Sequence, residues 1–320
     1  MSIAILKPGI CTSIQDLGRH GYLSSGITNS GAMDILSCTL ANYLLGNEAG
    51  EAVLEMSFPA AELLFKENAV IALAGADFSA YINDKAIENY KPYFIHKDEV
   101  LHFKKRESGS WIYLAVKGSF KIDQWLNSYS THTKAKLGGY KGRLLQKNDS
   151  LELAHTQDHK TQRFHFKIAA HEWEQWYNGS TIRVLPGNEF GLLNKSSAIA
   201  LYKNQFSITQ QSDRMGYRLE SDVLTLSNPV NLISSGVTTG TVQLLPSGQC
   251  IVLMADHQTT GGYPRIAQAI AADLPKLAQL QFSKKIKFKQ VDISAAEESL
   301  LSMQRWLQQV KASCFQKTRY

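Results

Sequence analysis

Short apolar runs, each stopped by a turn-forming residue, recur along the whole chain and restrict what it can fold into. Ile3 to Leu6, Ala69 to Leu73, Ser79 to Ile82, Val100 to Phe103, Trp111 to Val116, Phe206 to Thr209, Val242 to Leu245, Ile251 to Met254 and Ile286 to Val291 are each four to six residues long, bounded by Gly, Pro, Asn or Asp. Runs of that length, rich in β-branched and aromatic residues, fit strands and are too short for several helical turns. The expectation is a mainly β chain with peripheral helices. At 320 residues the chain exceeds what one core usually supports, so two domains are expected, 1–160 and 161–320, joined through the polar stretch between Leu153 and Phe166. A loose echo of two related halves lies in Ile71-Ala-Leu-Ala-Gly-Ala-Asp77 and Ile251-Val-Leu-Met-Ala-Asp256, which both end an apolar strand on Ala-Asp.

Helical patterns are few. Met33, Leu36, Leu40 and Tyr43 recur at helical spacing and stop at Gly46, which reads as a left-handed cap. Pro264 follows Gly261-Gly262, with Ile266 and Ile270 four apart, and this predicts a helix ending by Pro275. Ser294 with Glu297 reads as a capping box for a last helix carrying Leu300, Met303, Leu307 and Val310 on one face.

The formal charge of +6 invites a nucleic-acid reading until it is divided along the chain. Residues 1–100 hold six basic and twelve acidic side chains, 101–170 thirteen and five, 171–280 seven and eight, and 281–320 eight and three. That asymmetry suits a surface that docks on partner proteins better than one that tracks a phosphate backbone. Lys284-Lys285-Ile286-Lys287-Phe288-Lys289 alternates charge with bulk, the pattern of a solvated edge strand. No nucleic-acid-binding signature, no apolar stretch long enough to span a bilayer and no secretory leader pattern is present, so a soluble, cytoplasmic protein is expected. Cys11, Cys38, Cys250 and Cys314 show no metal or redox spacing. His155 and His159 recruit no acidic ligand, so no metal site is expected.

Three segments concentrate chemistry. In Leu253-Met-Ala-Asp256-His257-Gln258-Thr259-Thr260-Gly261-Gly262-Tyr263-Pro264 an apolar strand runs into a carboxylate, an amide, two hydroxyls and two glycines. Such a loop ahead of a helix N-terminus resembles an anion cradle, although no Walker pattern occurs. Gln210 to Arg218 places Asp213, Arg214 and Arg218 just after a strand, where an arginine fork recognises carboxylate or phosphate, or pairs internally with Asp213. Near the N-terminus, Gln15, Asp16 and Arg19 are followed by Ser30-Gly-Ala-Met-Asp34, where Ser30 and Asp34 are equally explained as helix caps. No nucleophile elbow or HExxH zinc motif is present, and Cys250 reads as a strand residue rather than a nucleophile.

Gln15-Asp-Leu-Gly-Arg19, Ser30-Gly-Ala-Met-Asp34, Ser212-Asp-Arg-Met-Gly-Tyr-Arg-Leu219 and Ala255-Asp-His-Gln-Thr-Thr-Gly-Gly-Tyr-Pro264, in this order, resemble the carboxyltransferase-domain family typified by the 5-oxoprolinase subunit-C proteins. That family also includes allophanate-hydrolase-subunit-2-like proteins, the antagonist of the sporulation-kinase inhibitor, and part of urea carboxylase. The resemblance runs from about residue 5 to about residue 290 and implies two linked cyclophilin-like β-barrel domains. It implies one member of a complex that cleaves 5-oxoproline to L-glutamate with ATP, alongside subunit-B-like and subunit-A-like partners, with Mg2+ accompanying a nucleotide shared with those partners. On this reading Asp256, Asp213 and Arg214 are the catalytic candidates. Gln258, Thr259, Thr260, Gly261, Gly262, Tyr263, Arg218, Gln15, Arg19 and Asp34 are the candidates for binding the small-molecule substrate or nucleotide. The chain departs from the family pattern at Ser119, where glycine is common, at Asn127, and at Ser235, where an acid is frequent. Two other functions stay open: carboxyl transfer in a biotin-dependent urea system, for which this chain has no biotin attachment segment, and non-catalytic antagonism of a kinase inhibitor.

Overall fold

The computed structural model describes residues 2–154 and 164–318. The polar link containing His155 and His159, and the expected boundary at 160, lie outside the described residues. The chain divides into two compact units. The first comprises Met1–Arg19, Ser30–Glu174 and Arg305–Tyr320, and the second His20–Asn29 and Gln175–Gln304.

Two antiparallel sheets build the first unit. One runs in the order Ser150–Glu152, Ser2–Lys7, Glu62–Phe65, Val100–Phe103, Ala80–Ile82 and Lys85–Ala86, the other Thr12–Gln15, Val53–Met56, Ser108–Val116, Ala69–Asp77 and Pro92–Ile95. Alternation sends Ile3, Ile5, Leu63, Phe65 and Leu101 of the first and Ile14, Leu54, Ile71, Leu73, Ile112 and Leu114 of the second into one hydrophobic core. The helix Ile35–Tyr43 packs on the second sheet and is buried from Leu36 to Tyr43. Asp34 caps it, its carboxylate accepting from Ser37 N at 3.0 Å and Ser37 Oγ at 2.6 Å, and Gly46 (φ 71°) turns the chain just beyond it as expected.

In the second unit seven strands close into a barrel in the order Thr181–Pro186, Arg265–Ala269, Thr241–Leu244, Cys250–Leu253, Gly216–Glu220, Phe206–Ile208 and Lys285–Gln290. Every pairing is antiparallel except the closure of Thr181–Pro186 on Lys285–Gln290, which is parallel. Ile182, Val184, Phe206, Val242, Val252, Ile266, Ile286 and Phe288 are buried, with the rings of Phe206 and Phe288 5.1 Å apart. The expected mainly β architecture is therefore what the chain adopts. Among the described residues no helix is long and apolar enough to cross a membrane.

Three local expectations are corrected. Arg265–Ala269 is a strand, not a helix. Ile266 and Ile270, four apart, satisfy a helical face and one face of a strand equally, and pairing with a barrel strand on each side decides for the strand. Lys285–Gln290 does alternate buried and exposed residues, but it is no edge: it pairs with Thr181–Pro186 on one side and Phe206–Ile208 on the other. The last helix, Ile293–Thr318, is capped by Asp292, whose Oδ1 accepts from Ala295 N at 2.8 Å, rather than by Ser294. Met303, Val310 and Cys314 of this helix are buried, and Lys311 reaches Glu48 at 2.8 Å.

Candidate functional site

Arg214 and Asp256 come together because of strand register. Gly216 pairs with Leu253, and the ladder continues past both strands through Met254 N to Met215 O at 3.0 Å and Asp256 N to Arg214 O at 2.8 Å. Side chains 42 residues apart are thereby set opposite each other: Arg214 Nε donates to Asp256 Oδ2 at 2.8 Å and Nη2 to Oδ1 at 3.1 Å. Both are nearly inaccessible, at 9% and 6% side-chain exposure. A two-point fork in such a setting locks the loop that enters Gly216–Glu220 to the loop that leaves Cys250–Leu253. Asp213, in contrast, is exposed and caps the turn by accepting from Met215 N at 2.8 Å, and Arg218 points outward from its strand.

Beyond Asp256 the chain turns through His257 and Gln258 into a two-stranded ribbon, with Thr260–Gly261 paired to Ser235–Gly236. His257 is buried and its Nδ1 donates to Gln258 O at 2.5 Å, while burial pushes its pKa below the usual histidine value. The sequence-predicted Gln258, Thr259, Thr260, Gly261, Gly262 and Tyr263 therefore all belong to this ribbon and its flanks. Gly262 lies against Leu232 O and Ser234 Oγ of the facing segment, where an added Cβ would come within 3.3 and 3.4 Å.

Several residues that sequence pattern does not single out hold the ribbon in place. Arg265 forks onto Glu189 at 2.8 and 2.6 Å and sends Nη1 to Gly236 O at 3.1 Å. That guanidinium holds the Glu189 carboxyl below its usual pKa. Gln243, in the strand Thr241–Leu244, lies directly beneath Gly261. A signal for Gln243 does exist in the sequence, since it is a polar residue inside an apolar strand run.

Gln15, Arg19 and Asp34 occupy a different place, the buried polar layer of the first unit. Asp16 ties it together: its carboxylate accepts from Gly18 N at 2.7 Å, Ser128 Oγ at 2.8 Å, Tyr129 N at 2.6 Å and Ser130 Oγ, and its carbonyl takes Ala32 N at 2.8 Å. The motifs around Gln15 and Asp34 are thus brought together. Gly31 (φ 94°) permits the contact, because a Cβ would stand 2.8 Å from Gly18 N. Arg19 is fully buried, donates through Nη2 to Ser130 O and lies 4.7 Å over the Trp125 ring. Gln15 Nε2 donates to Ser13 Oγ at 2.9 Å. Asp34 N donates to the Tyr113 hydroxyl, which donates on to Glu55 Oε2, each at 2.8 Å. Burial, followed by the charges of Asp16, Glu55 and Asp34, raises the Cys38 thiol pKa, and burial pushes the Cys250 thiol to about 12, so neither is an activated nucleophile.

The arginines nearest the ribbon in sequence, Arg214 and Arg265, are engaged by Asp256 and Glu189. A strand follows Gly262, so the unpaired amides of a helical first turn are not there to cradle phosphates. Among the described residues no cluster of three metal-ligating side chains occurs.

Comparison with known proteins agrees with this architecture. The profile of the carboxyltransferase domain, subdomain A and B, matches residues 25–290. The 5-oxoprolinase subunit-C protein of Haemophilus influenzae is 36% identical over 309 residues, spanning 97% of each chain. Its namesake in Escherichia coli is 35% identical, covering 96% of this chain and 97% of its own. The crystal structure of Kluyveromyces lactis urea carboxylase superimposes with a TM-score of 0.88 at 25% identity, over 97% of this chain and 29% of that one. With matching motifs, barrel topology and near full-length relatives in hand, the chain belongs to the carboxyltransferase-domain family of subdomains A and B.

Proposed function

We propose that the chain is the C-type subunit of a cytoplasmic 5-oxoprolinase assembly that opens 5-oxoproline to L-glutamate at the expense of ATP. The observation that carries this reading is mutual coverage: the chain and its Haemophilus influenzae 5-oxoprolinase relative match over 97% of both, whereas it spans only 29% of the urea carboxylase chain. The chemistry of the ribbon favours the same reading. A lactam is a neutral N–C=O group, and Gln258, Thr259 and Thr260 supply neutral donors and acceptors. A lactam carbonyl is a poor electrophile, and ATP supplies the phosphoryl group that makes its oxygen a leaving group. The nucleotide and its Mg2+ are shared, on this reading, with the subunit-B-like and subunit-A-like partners. Arg214 and Asp256 then act on the substrate through the loops that they hold, and Asp213 through its turn.

Co-expression with both partners, followed by an assay of glutamate formed from 5-oxoproline and ATP, tests the proposal. Activity is expected with all three chains and lost when this one is omitted. An assembly that consumes urea and bicarbonate and leaves 5-oxoproline intact would instead establish the biotin-dependent reading, with the carboxybiotin carried on another protein.

A further inference from the structure

Gln243 is 1% exposed, and its side-chain Nε2 finds no hydrogen-bond acceptor among the described residues. Among the described residues its Oε1 is met only by Gln258 Nε2, at 3.5 Å, a long contact. Native chains leave few buried donors without an acceptor, and those that persist call for an explanation. Strand register puts Gln243 opposite Ile251 and Arg265, on the same face of its strand as Thr241. The ribbon covers it there: a Cβ on Gly261 would stand 2.5 Å from Gln243 Nε2 and 3.5 Å from Gln258 Nε2. Gly261 is not in the left-handed region, and a side chain there would require the Gln243 amide to shift.

The cover is slight. Two residue pairs make up the ribbon, Thr260 and Gly236 are exposed, and Ile233 in the facing segment is 92% exposed. Arg265 Nη1 on Gly236 O and Val237 N on Thr259 O, each at 3.1 Å, tie it down, and a ribbon this short is still among the elements that open locally at less than the cost of global unfolding. No charged residue occurs from Val223 to Ala255, the stretch that supplies both Gln243 and the facing ribbon strand. Arg265, opposite Gln243, is neutralised by Glu189, and an unfilled neutral donor beside a neutralised pair is suited by a neutral acceptor such as a carbonyl.

We infer that Gln243 is a substrate-binding residue that donates its side-chain N–H to the carbonyl of a small cyclic amide or ureido ligand, which enters as the Thr260–Gly261 ribbon lifts. The inference deepens the site reading given above and rests on it. Gln258 completes the subsite as the neighbouring amide, and lifting of Gly261 uncovers Nε2 for the acceptor.

The test uses the full chain, 15N-labelled, alone and co-purified with its partner subunits. The probes are 5-oxoproline, 2-imidazolidone and, as the ring without a carbonyl, proline. The Gln243 side-chain amide resonance, identified by its loss in Gln243→Met, is expected to shift with a carbonyl probe and to stay in place with proline. Gln243→Met is expected to bind the carbonyl probe about tenfold more weakly, the equivalent of about one hydrogen bond. Its ligand-free thermal midpoint should rise, because a donor without an acceptor has been removed. Gln243→Glu, which reverses the donor, should weaken binding at least as much and serves if the methionine variant misfolds. An amide that no probe moves in either preparation, a Gln243→Met chain that binds like wild type, or one that melts lower would each overturn the inference. A shift with 2-imidazolidone in an assembly that leaves 5-oxoproline intact would sink the proposed reaction and keep this subsite. Turnover of 5-oxoproline with an unchanged KM in Gln243→Met would sink the subsite and keep the reaction.

Discussion

Asp256→Ala removes the carboxylate that accepts two hydrogen bonds from Arg214 at 2.8 and 3.1 Å, and it leaves the guanidinium in a place where its side chain is only 9% exposed. Breaking one half of a pair so well sealed from water costs about 3–5 kcal/mol, because the remaining charge is desolvated without its counter-ion. In a unit of this size that corresponds to a fall of roughly 10 °C in the thermal midpoint. Replacing both partners, as in Arg214→Met with Asp256→Leu, removes the uncompensated charge, and the double variant should lose less than the single. Urea unfolding of wild type, the two single variants and the double variant measures the coupling, with an unchanged m-value confirming that the same surface unfolds. The pair then accounts for the loop geometry. If Asp256→Ala unfolds within about 0.5 kcal/mol of wild type while the assembly loses turnover, the scaffold argument is refuted and Asp256 acts directly on the substrate.

Three other outcomes follow from local geometry. Ser119 sits at φ 71° with its buried hydroxyl unpartnered, so Ser119→Gly should stabilise the chain by about 1 kcal/mol after the entropy of glycine is subtracted. Denaturant unfolding checks the sign, and a less stable variant would contradict it. Burial lowers the pKa of His257 below the ordinary 6.5; the unfolded chain therefore protonates first, and stability that is full above about pH 6.5 declines as pH falls through the folded value. His257→Gln should flatten that decline in thermal melts taken between pH 5 and 7, and an unaltered slope would place the effect elsewhere. Lys285, Lys287 and Lys289 all point outward from the barrel, so charge reversal at these three should weaken partner binding, and moderate salt should mask the difference. Salt-independent co-purification would argue against an electrostatic docking face.

Local pattern made much of the molecule legible. The strand runs became strands, and Met33 to Tyr43 became the helix Ile35–Tyr43 with Gly46 at its end, because alternation, helical spacing and turn residues all act within a few positions. Ser119 and Asn127 both occupy the left-handed region, a conformation glycine adopts without penalty and asparagine tolerates. The order of the polar motifs, together with their residue types, was enough to indicate the family.

Partnership was not legible, because it depends on register across distant strands. Whether Ile266 and Ile270 marked a helix or a strand was settled only when Arg265–Ala269 found a barrel strand on either side. Lys285–Gln290 reads as an edge until the barrel closes on it. Arg214 had Asp213 as its nearest acid in sequence, yet ladder extension gave it Asp256. Gln243 looked like one polar residue in an apolar run until the ribbon lay across it. The amino-acid sequence by itself determined the strand content, the turns and the family, since each is written in neighbouring residues. Only the tertiary structure decided which charges neutralise each other and which buried donor is left unfilled, since both depend on which strands the barrel brings side by side.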